Sequence, residues 1–142
     1  MQKKIYFAYG ANTNKDAMAI RCPKAKVIGG GHIYGYRLKF NNVADIVPVK
    51  GFDQYAPCVI WEITESCERS LDRFESYPSL YDKIEVTGYE GTQGESITGF
   101  AYVMNYKGFH TPSPIYVRGI RNGLKGVSVS YTHLRAHETN SN

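Results

Sequence analysis

Apolar and polar residues along this chain repeat with two periods, and the period separates strands from helices. The opening stretch KKIYFAYG is β-branched and aromatic and stops at Gly10, which predicts a first strand. In HIYGYRLKF, Tyr34, Tyr36, Leu38 and Phe40 share one face, with Arg37 and Lys39 on the other. That alternation predicts a half-buried strand. NNVADIVPVKG reads as a loop or a short edge strand, because Pro48 has no N–H to give to a ladder. PCVIWEIT predicts a strand with Val59, Trp61 and Ile63 on one face. YDKIEVTGYE and SITGFAYVMNY predict two more, joined by the glycine-containing hairpin GTQGE.

Helical spacing appears between these strands. ANTNKDAMAIRCP predicts a short helix that Pro23 ends, with Thr13 and Asp16 placed as a capping box. TESCERSLDRFES predicts a second. Thr64 is its N-cap, Glu65 and Glu68 occupy the first turn, and Cys67, Leu71 and Phe74 form a buried stripe at i, i+4, i+7. HTPSP reads as a turn. IYVRGIRNGLKG reads as a short helix with Tyr116 and Ile120 one turn apart, ended at Asn122-Gly123. Strands dominate, helices are inserted singly, and no repeat or linker interrupts them. The expected class is α+β, with a mixed, barrel-like sheet and short flanking helices. The expected domain is residues 1–127. Residues 128–142 lose all apolar periodicity and read as a non-native or disordered tail. His133 and His137 lie i, i+4 in that tail, but H-L-R-A-H-E is not the H-E-x-x-H of a zinc site, so no metal is expected.

Composition narrows the setting. The chain has 142 residues, 42% of them hydrophobic and 21% charged, which suits one globular domain. No apolar run approaches the ~18 residues of a membrane span. The N-terminus has too short an apolar core for a signal peptide, so a cytoplasmic protein with no membrane association is expected. Cys22, Cys58 and Cys67 form no C-x-x-C pair, which reads as reduced thiols. The net charge of +4 conceals an asymmetry. Residues 1–50 hold nine Lys/Arg and two Asp/Glu, and residues 51–106 hold three and ten. Basic charge from the two ends could converge on an anionic small ligand or form an unpartnered solvated surface. With no Arg/Lys run and no recognition motif, a nucleic-acid partner is not expected. An oligomer is left open and not indicated.

Two places could carry chemistry. At YFAYGAN a strand ends at Tyr9, turns through Gly10 and Ala11, and enters a helix near Asn12. Free backbone N–H groups there suit a carboxylate or a developing oxyanion. The other is Glu75, at the end of a helix in SLDRFESYPSLYDK. The carbonyl end of a helix disfavours a carboxylate, and Phe74, Tyr77 and Tyr81 could desolvate it. Both effects would raise its pKa toward the range of a general base. On residue type alone, a solvated surface glutamate remains the alternative.

Taken in order, YFAYGAN, GYRLKF, VIWEIT, SLDRFESYPSLYDKIEV, AYVM and PSPIY resemble the γ-glutamylcyclotransferase-like (AIG2-like) superfamily over about residues 3–126. The resemblance implies a mixed barrel with flanking helices. It also implies a cofactor-independent enzyme that releases 5-oxoproline from γ-glutamyl amines or peptides. It maps the family's Tyr-Gly-Ser-Asn pocket motif onto Tyr9, Gly10, Ala11 and Asn12, its catalytic glutamate onto Glu75, and a pocket tyrosine onto Tyr116. Tyr81 joins these as a substrate-binding residue. Alanine stands at position 11 where the family usually has serine. The second reading is a non-catalytic protein that binds an anionic small molecule on the same scaffold.

Overall fold

The structure is a computed structural model that describes residues 3–41, 43–50, 54–91, 94–105, 120 and 122–124. Among the described residues the main elements run β1 (Lys3–Ala8), α1 (Lys15–Arg21), β2 (Lys26–Tyr34), β3 (Tyr36–Asn41), β4 (Val43–Pro48), β5 (Tyr55–Thr64), α2 (Glu65–Phe74), β6 (Tyr81–Glu90) and β7 (Ser96–Met104), with helical residues again at 120 and 122–124. Five strands form a closed barrel in the order β1-β5-β2-β6-β7, and β3 and β4 make a separate two-stranded sheet. Neighbours in the barrel are antiparallel until the last. There β7 closes on β1 in parallel, through the pair Tyr6 and Phe100. The expected mixed barrel is what forms.

The barrel closes tightly because glycines allow strands to approach. A Cβ on Gly88 of β6 would lie 2.4 Å from the His32 carbonyl oxygen and 2.6 Å from the Phe7 ring. In the core, Phe7, Ile33, Val59, Ile60, Ile63 and Leu71 are almost wholly buried. Each such side chain contributes roughly 1.5–3 kcal/mol. β5 is buried on both faces rather than one, because Cys58 and Ile60 are as enclosed as Val59 and Ile63. It lies between β1 and β2 and pairs with both along most of its length.

Several expectations change. The single strand expected at HIYGYRLKF is two, hinged at Gly35, whose φ of 82° turns the chain. NNVADIVPVKG contributes the strand β4, paired with β3 along its length. Thr13 does not cap α1. Residues Ala11–Thr13 form one 3₁₀ turn, and Thr13 Oγ1 donates to the Gly10 carbonyl at 2.8 Å. The N-cap is Asn14, which accepts from Ala17 N at 3.0 Å. Thr64 caps α2 as expected, but Phe74 is 44% exposed, so the buried stripe is Cys67 and Leu71. The helix expected near residue 120 is visible at Ile120 and Asn122–Leu124 and does not stop at Gly123. Tyr116, the expected HTPSP turn and residues 128–142 lie outside the described residues.

The cysteine reading is corrected. Cys22 at the end of α1 and Cys67 in α2 form a disulfide, with Cα atoms 5.1 Å apart. Forty-five residues separate them in sequence, so only the packing of the two helices brings them together. Cys58 alone is free and buried, and burial raises its thiol pKa. Two of the basic residues near the start of the chain meet acids from the 51–106 segment. Lys3 pairs with Glu62, while Lys4 and Lys83 both pair with Glu68 at 2.6 and 2.7 Å. No described helix is long and apolar enough to cross a membrane.

The end of α2 is a Schellman motif. Tyr77 N donates to the Asp72 carbonyl at 2.9 Å and Ser76 N to the Arg73 carbonyl at 3.2 Å. Ser76 takes the left-handed conformation usually given to glycine, with φ of 52°. Replacing it with glycine should raise stability by about 0.5–1 kcal/mol in urea denaturation, since the left-handed cost disappears. A lower midpoint would mean that the serine side chain itself holds the turn.

Candidate active site

Where β1 ends, the 3₁₀ turn begins and α2 stops, the three meet around a cavity of about 120 Å³. Tyr6, Tyr9 and the turn Gly10–Asn12 form one wall. Phe74 and Glu75 form the second, Val43 and Ala44 of β4 the third, and Tyr81 and Tyr102 of the β6–β7 hairpin the last. Six residues singled out in the sequence therefore converge: Tyr9, Gly10, Ala11, Asn12, Glu75 and Tyr81. Tyr116 lies outside the described residues.

Asn12 organises the turn more than it faces the cavity. It is 2% exposed and bonded to three elements. Its Nδ2 donates to Tyr6 Oη at 3.0 Å, its Oδ1 accepts from Arg21 at 3.0 Å, and its carbonyl accepts from Trp61 Nε1 at 3.1 Å. The amides of Ala11 and Asn12 open the 3₁₀ turn and have no acceptor among the described residues, as expected of the first N–H groups of a helical turn. Ala11 is exposed at the lip of the cavity.

Tyr9 spends its hydroxyl on the frame. It donates to the Tyr102 carbonyl and sits 3.4 Å from Asp45 Oδ1. Asp45 is fully buried on β4 and accepts from Met104 N at 3.1 Å, which ties the small sheet to the barrel. Tyr102 donates to Asp72 at 2.6 Å. Burial raises the phenol pKa of Tyr6, Tyr9 and Tyr102, with Glu75, Asp45 and Asp72 respectively adding to it. These phenols stay protonated and can donate or accept hydrogen bonds without serving as bases.

Glu75 is the contrasting group. Desolvation raises its pKa from 4.5 to about 7, and the Arg21 guanidinium pulls it partly back. Burial is the leading cause. Three of the last carbonyls of α2 accept from the amides of Glu75, Ser76 and Tyr77. Among the described residues no three His, Cys, Asp or Glu gather as a metal site.

Sequence reasoning missed Tyr6, Arg21, Asp45 and Tyr102. Asp45 carried a signal: a lone acid inside the apolar run VADIV marks a buried, bonded carboxylate. Arg21 gave none, because a basic residue in the last turn of a helix is ordinary.

The family model described as Gamma-glutamyl cyclotransferase, AIG2-like matches residues 6–118. The chain belongs to this family. A Bos taurus relative named Gamma-glutamylcyclotransferase is 31% identical over 143 residues, covering 89% of this chain and 74% of its own. Its Homo sapiens counterpart of the same name is 30% identical over 152 residues, covering 96% and 79%. The crystal structure of an uncharacterized Homo sapiens protein superposes with a TM-score of 0.85 at 25% identity, over 97% of this chain and 88% of that one. A solved gamma-glutamyl cyclotransferase gives 0.81 at 24% identity, over 96% and 87%, which supports the fold.

The raised pKa of this family member's glutamate carries a sign. A buried carboxyl whose folded pKa exceeds its unfolded value stabilises the fold below pH 4.5, and that contribution is lost as pH rises through about 7. Glu75→Gln stays neutral. The variant should therefore gain stability relative to wild type between those two values in denaturant titrations, and parallel curves would contradict the burial of the charge.

Proposed function

We propose that this protein releases 5-oxoproline from a γ-glutamyl amine or peptide, with Glu75 as general base and then acid. The observation that carries the reading is a single carboxyl with a pKa of about 7 in a cavity otherwise lined by apolar groups, the Gly10–Ala11 backbone, Asn12 and four tyrosines. Membership of the family and the names of its bovine and human relatives support the reaction class.

The chemistry is intramolecular. Glu75 takes one proton from the substrate's α-ammonium. The freed amine attacks the γ-carbonyl carbon, closing a five-membered ring and placing negative charge on the carbonyl oxygen. The amides of Ala11 and Asn12 and the Tyr6 hydroxyl are the donors available to that oxygen or to the α-carboxylate. As the carbon–nitrogen bond to the leaving group breaks, Glu75 returns its proton to the departing nitrogen. The ring nitrogen sheds a second proton to the same amine, which leaves as an ammonium, and the lactam keeps one. Holding the amine against the carbonyl can supply ~7–11 kcal/mol of the barrier. No cofactor enters this scheme, and the substrate is the only partner it requires.

The finer assignments of Tyr9, Gly10, Ala11, Asn12, Tyr81 and Tyr116 to substrate binding belong to this same reading. Tyr9 contributes its ring, because its hydroxyl is already committed to the frame. At Ala11 only the backbone donor remains. The reading keeps a cytoplasmic setting, and the Cys22–Cys67 bond is the feature that counts against it.

The alternative, a binder without turnover, rests on Ala11 and is separated by one experiment. Across a panel of γ-glutamyl amines, wild type should release 5-oxoproline, and Glu75→Gln should lose about 10²–10⁴-fold in kcat with its fold intact. kcat/KM should rise as pH passes about 7, as Glu75 ionises in the free enzyme. The kcat limb should lie lower, because the bound ammonium favours the carboxylate. Wild type that turns nothing over, yet retains a ligand through purification, would favour the binder.

A further inference from the structure

We propose that Arg21 is the positioning residue of this site: its guanidinium joins the turn that carries Asn12 to the helix end that carries Glu75, and fixes the direction of the hydrogen bond from Asn12 to Tyr6. The proposal rests on the reading of Glu75 as the proton acceptor.

Arg21 reaches both halves of the cavity. One guanidinium nitrogen donates to Asn12 Oδ1 at 3.0 Å, and the guanidinium carbon lies 3.5 Å above the centre of the Phe74 ring, one residue before Glu75. The backbone beneath it is anchored to α2 twice. Ser70 Oγ donates to the Arg21 carbonyl at 2.8 Å, and the next residue, Cys22, is bonded to Cys67. The side chain therefore starts from a fixed point.

Its chemistry then sets polarity. A guanidinium has donors only, so the atom of Asn12 that faces it must be the amide oxygen. The amide nitrogen is thereby turned toward Tyr6 Oη, to which it donates. A phenol oxygen that accepts this bond keeps its own proton for another acceptor, and Tyr6 lines the cavity. One cation thus orients an amide, the amide orients a phenol, and the phenol presents a donor where substrate would sit. The same positive charge favours the ionised form of Glu75. The other titratable groups around Glu75 are Tyr6 from β1, Tyr9 just after it, Tyr81 from β6 and Tyr102 from β7. Asp45 stands behind Tyr9, and Asp72, on the helix of Glu75 itself, is paired with Lys83. Among these, Arg21 is the group that opposes the effect of burial on Glu75.

Arg21→Met keeps the aliphatic stem and removes the charge and the donors. Arg21→Lys keeps a charge and donor-only character but loses the planar stack on Phe74. The Glu75 carboxyl can be followed by ¹³C NMR in glutamate-labelled protein, its signal assigned by its absence in Glu75→Gln. Arg21→Met should move the titration midpoint above the wild-type value and lower kcat/KM at neutral pH by about 10²-fold, with the pH limb displaced to match. Arg21→Lys should return the midpoint toward wild type and recover most of the turnover. If Arg21→Met does not fold, Arg21→Gln is read in the same way. A midpoint unchanged in the folded neutral variant overturns the proposal. The NMR readout needs no turnover, so it decides the role of Arg21 even if the γ-glutamyl panel fails and the reaction assigned above is wrong.

Discussion

The side chain of Asn12 is the contact on which the site depends. It is buried, it is polar, and it is bonded to β1 through Tyr6 and to α1 through Arg21, while its own carbonyl holds Trp61 of β5. A buried amide is stable only while its partners are present, and leaving one unpaired costs about 1–3 kcal/mol. The requirement works in both directions. The turn can leave the barrel at Gly10 because Asn12 is held, and Asn12 is held because the barrel, α1 and β5 arrive with the right atoms. Gly123 extends this support from the C-terminal side, packing so closely on Thr13 that a Cβ there would come within 2.6 Å of its hydroxyl.

Around that fixed turn, the site divides its acids and phenols by environment. Burial works in one direction on all of them and yields different outcomes. It drives tyrosines further into the protonated state, where they serve as fixed hydrogen-bonding groups. The same burial brings a carboxyl to about 7, where it can gain and lose a proton. Asp45 and Asp72 are held by partners: a backbone amide for the one, Lys83 and the Tyr102 hydroxyl for the other. For Glu75 burial is the largest influence, and Arg21 opposes it.

Much of this was legible in the chain. β-branched and aromatic composition located β1, face assignment located β5, the glycine-containing hairpin located β6 and β7, and helical spacing with Thr64 located α2. Local signals suffice for these because each element has one dominant neighbour environment. The cavity residues were legible only as an ordered set, since neither Glu75 nor YFAYGAN is distinctive alone. What escaped depended on tertiary packing. The middle of β2 carries a run of glycines, which weakens the strand signal, yet β6 passes so close to Gly29 and Gly31 that a Cβ there would meet Glu90 and the Tyr89 carbonyl. The Cys22–Cys67 bond follows from how α1 lies on α2. Arg21 looked like an ordinary helix terminus until Asn12 and Phe74 were seen on either side of it.

The barrel's seam has a consequence of its own. β7 meets β1 through one parallel pair, Tyr6 with Phe100, whereas the other strand pairs share longer ladders. The cavity lies across that seam, with Tyr6 and Tyr9 on one side and Tyr102 on the other. A molecule bound there bridges the two strands where the backbone joins them least. Occupancy then completes the cylinder as a mortar joint completes a wall, and the free energy of binding becomes part of the stability of the fold.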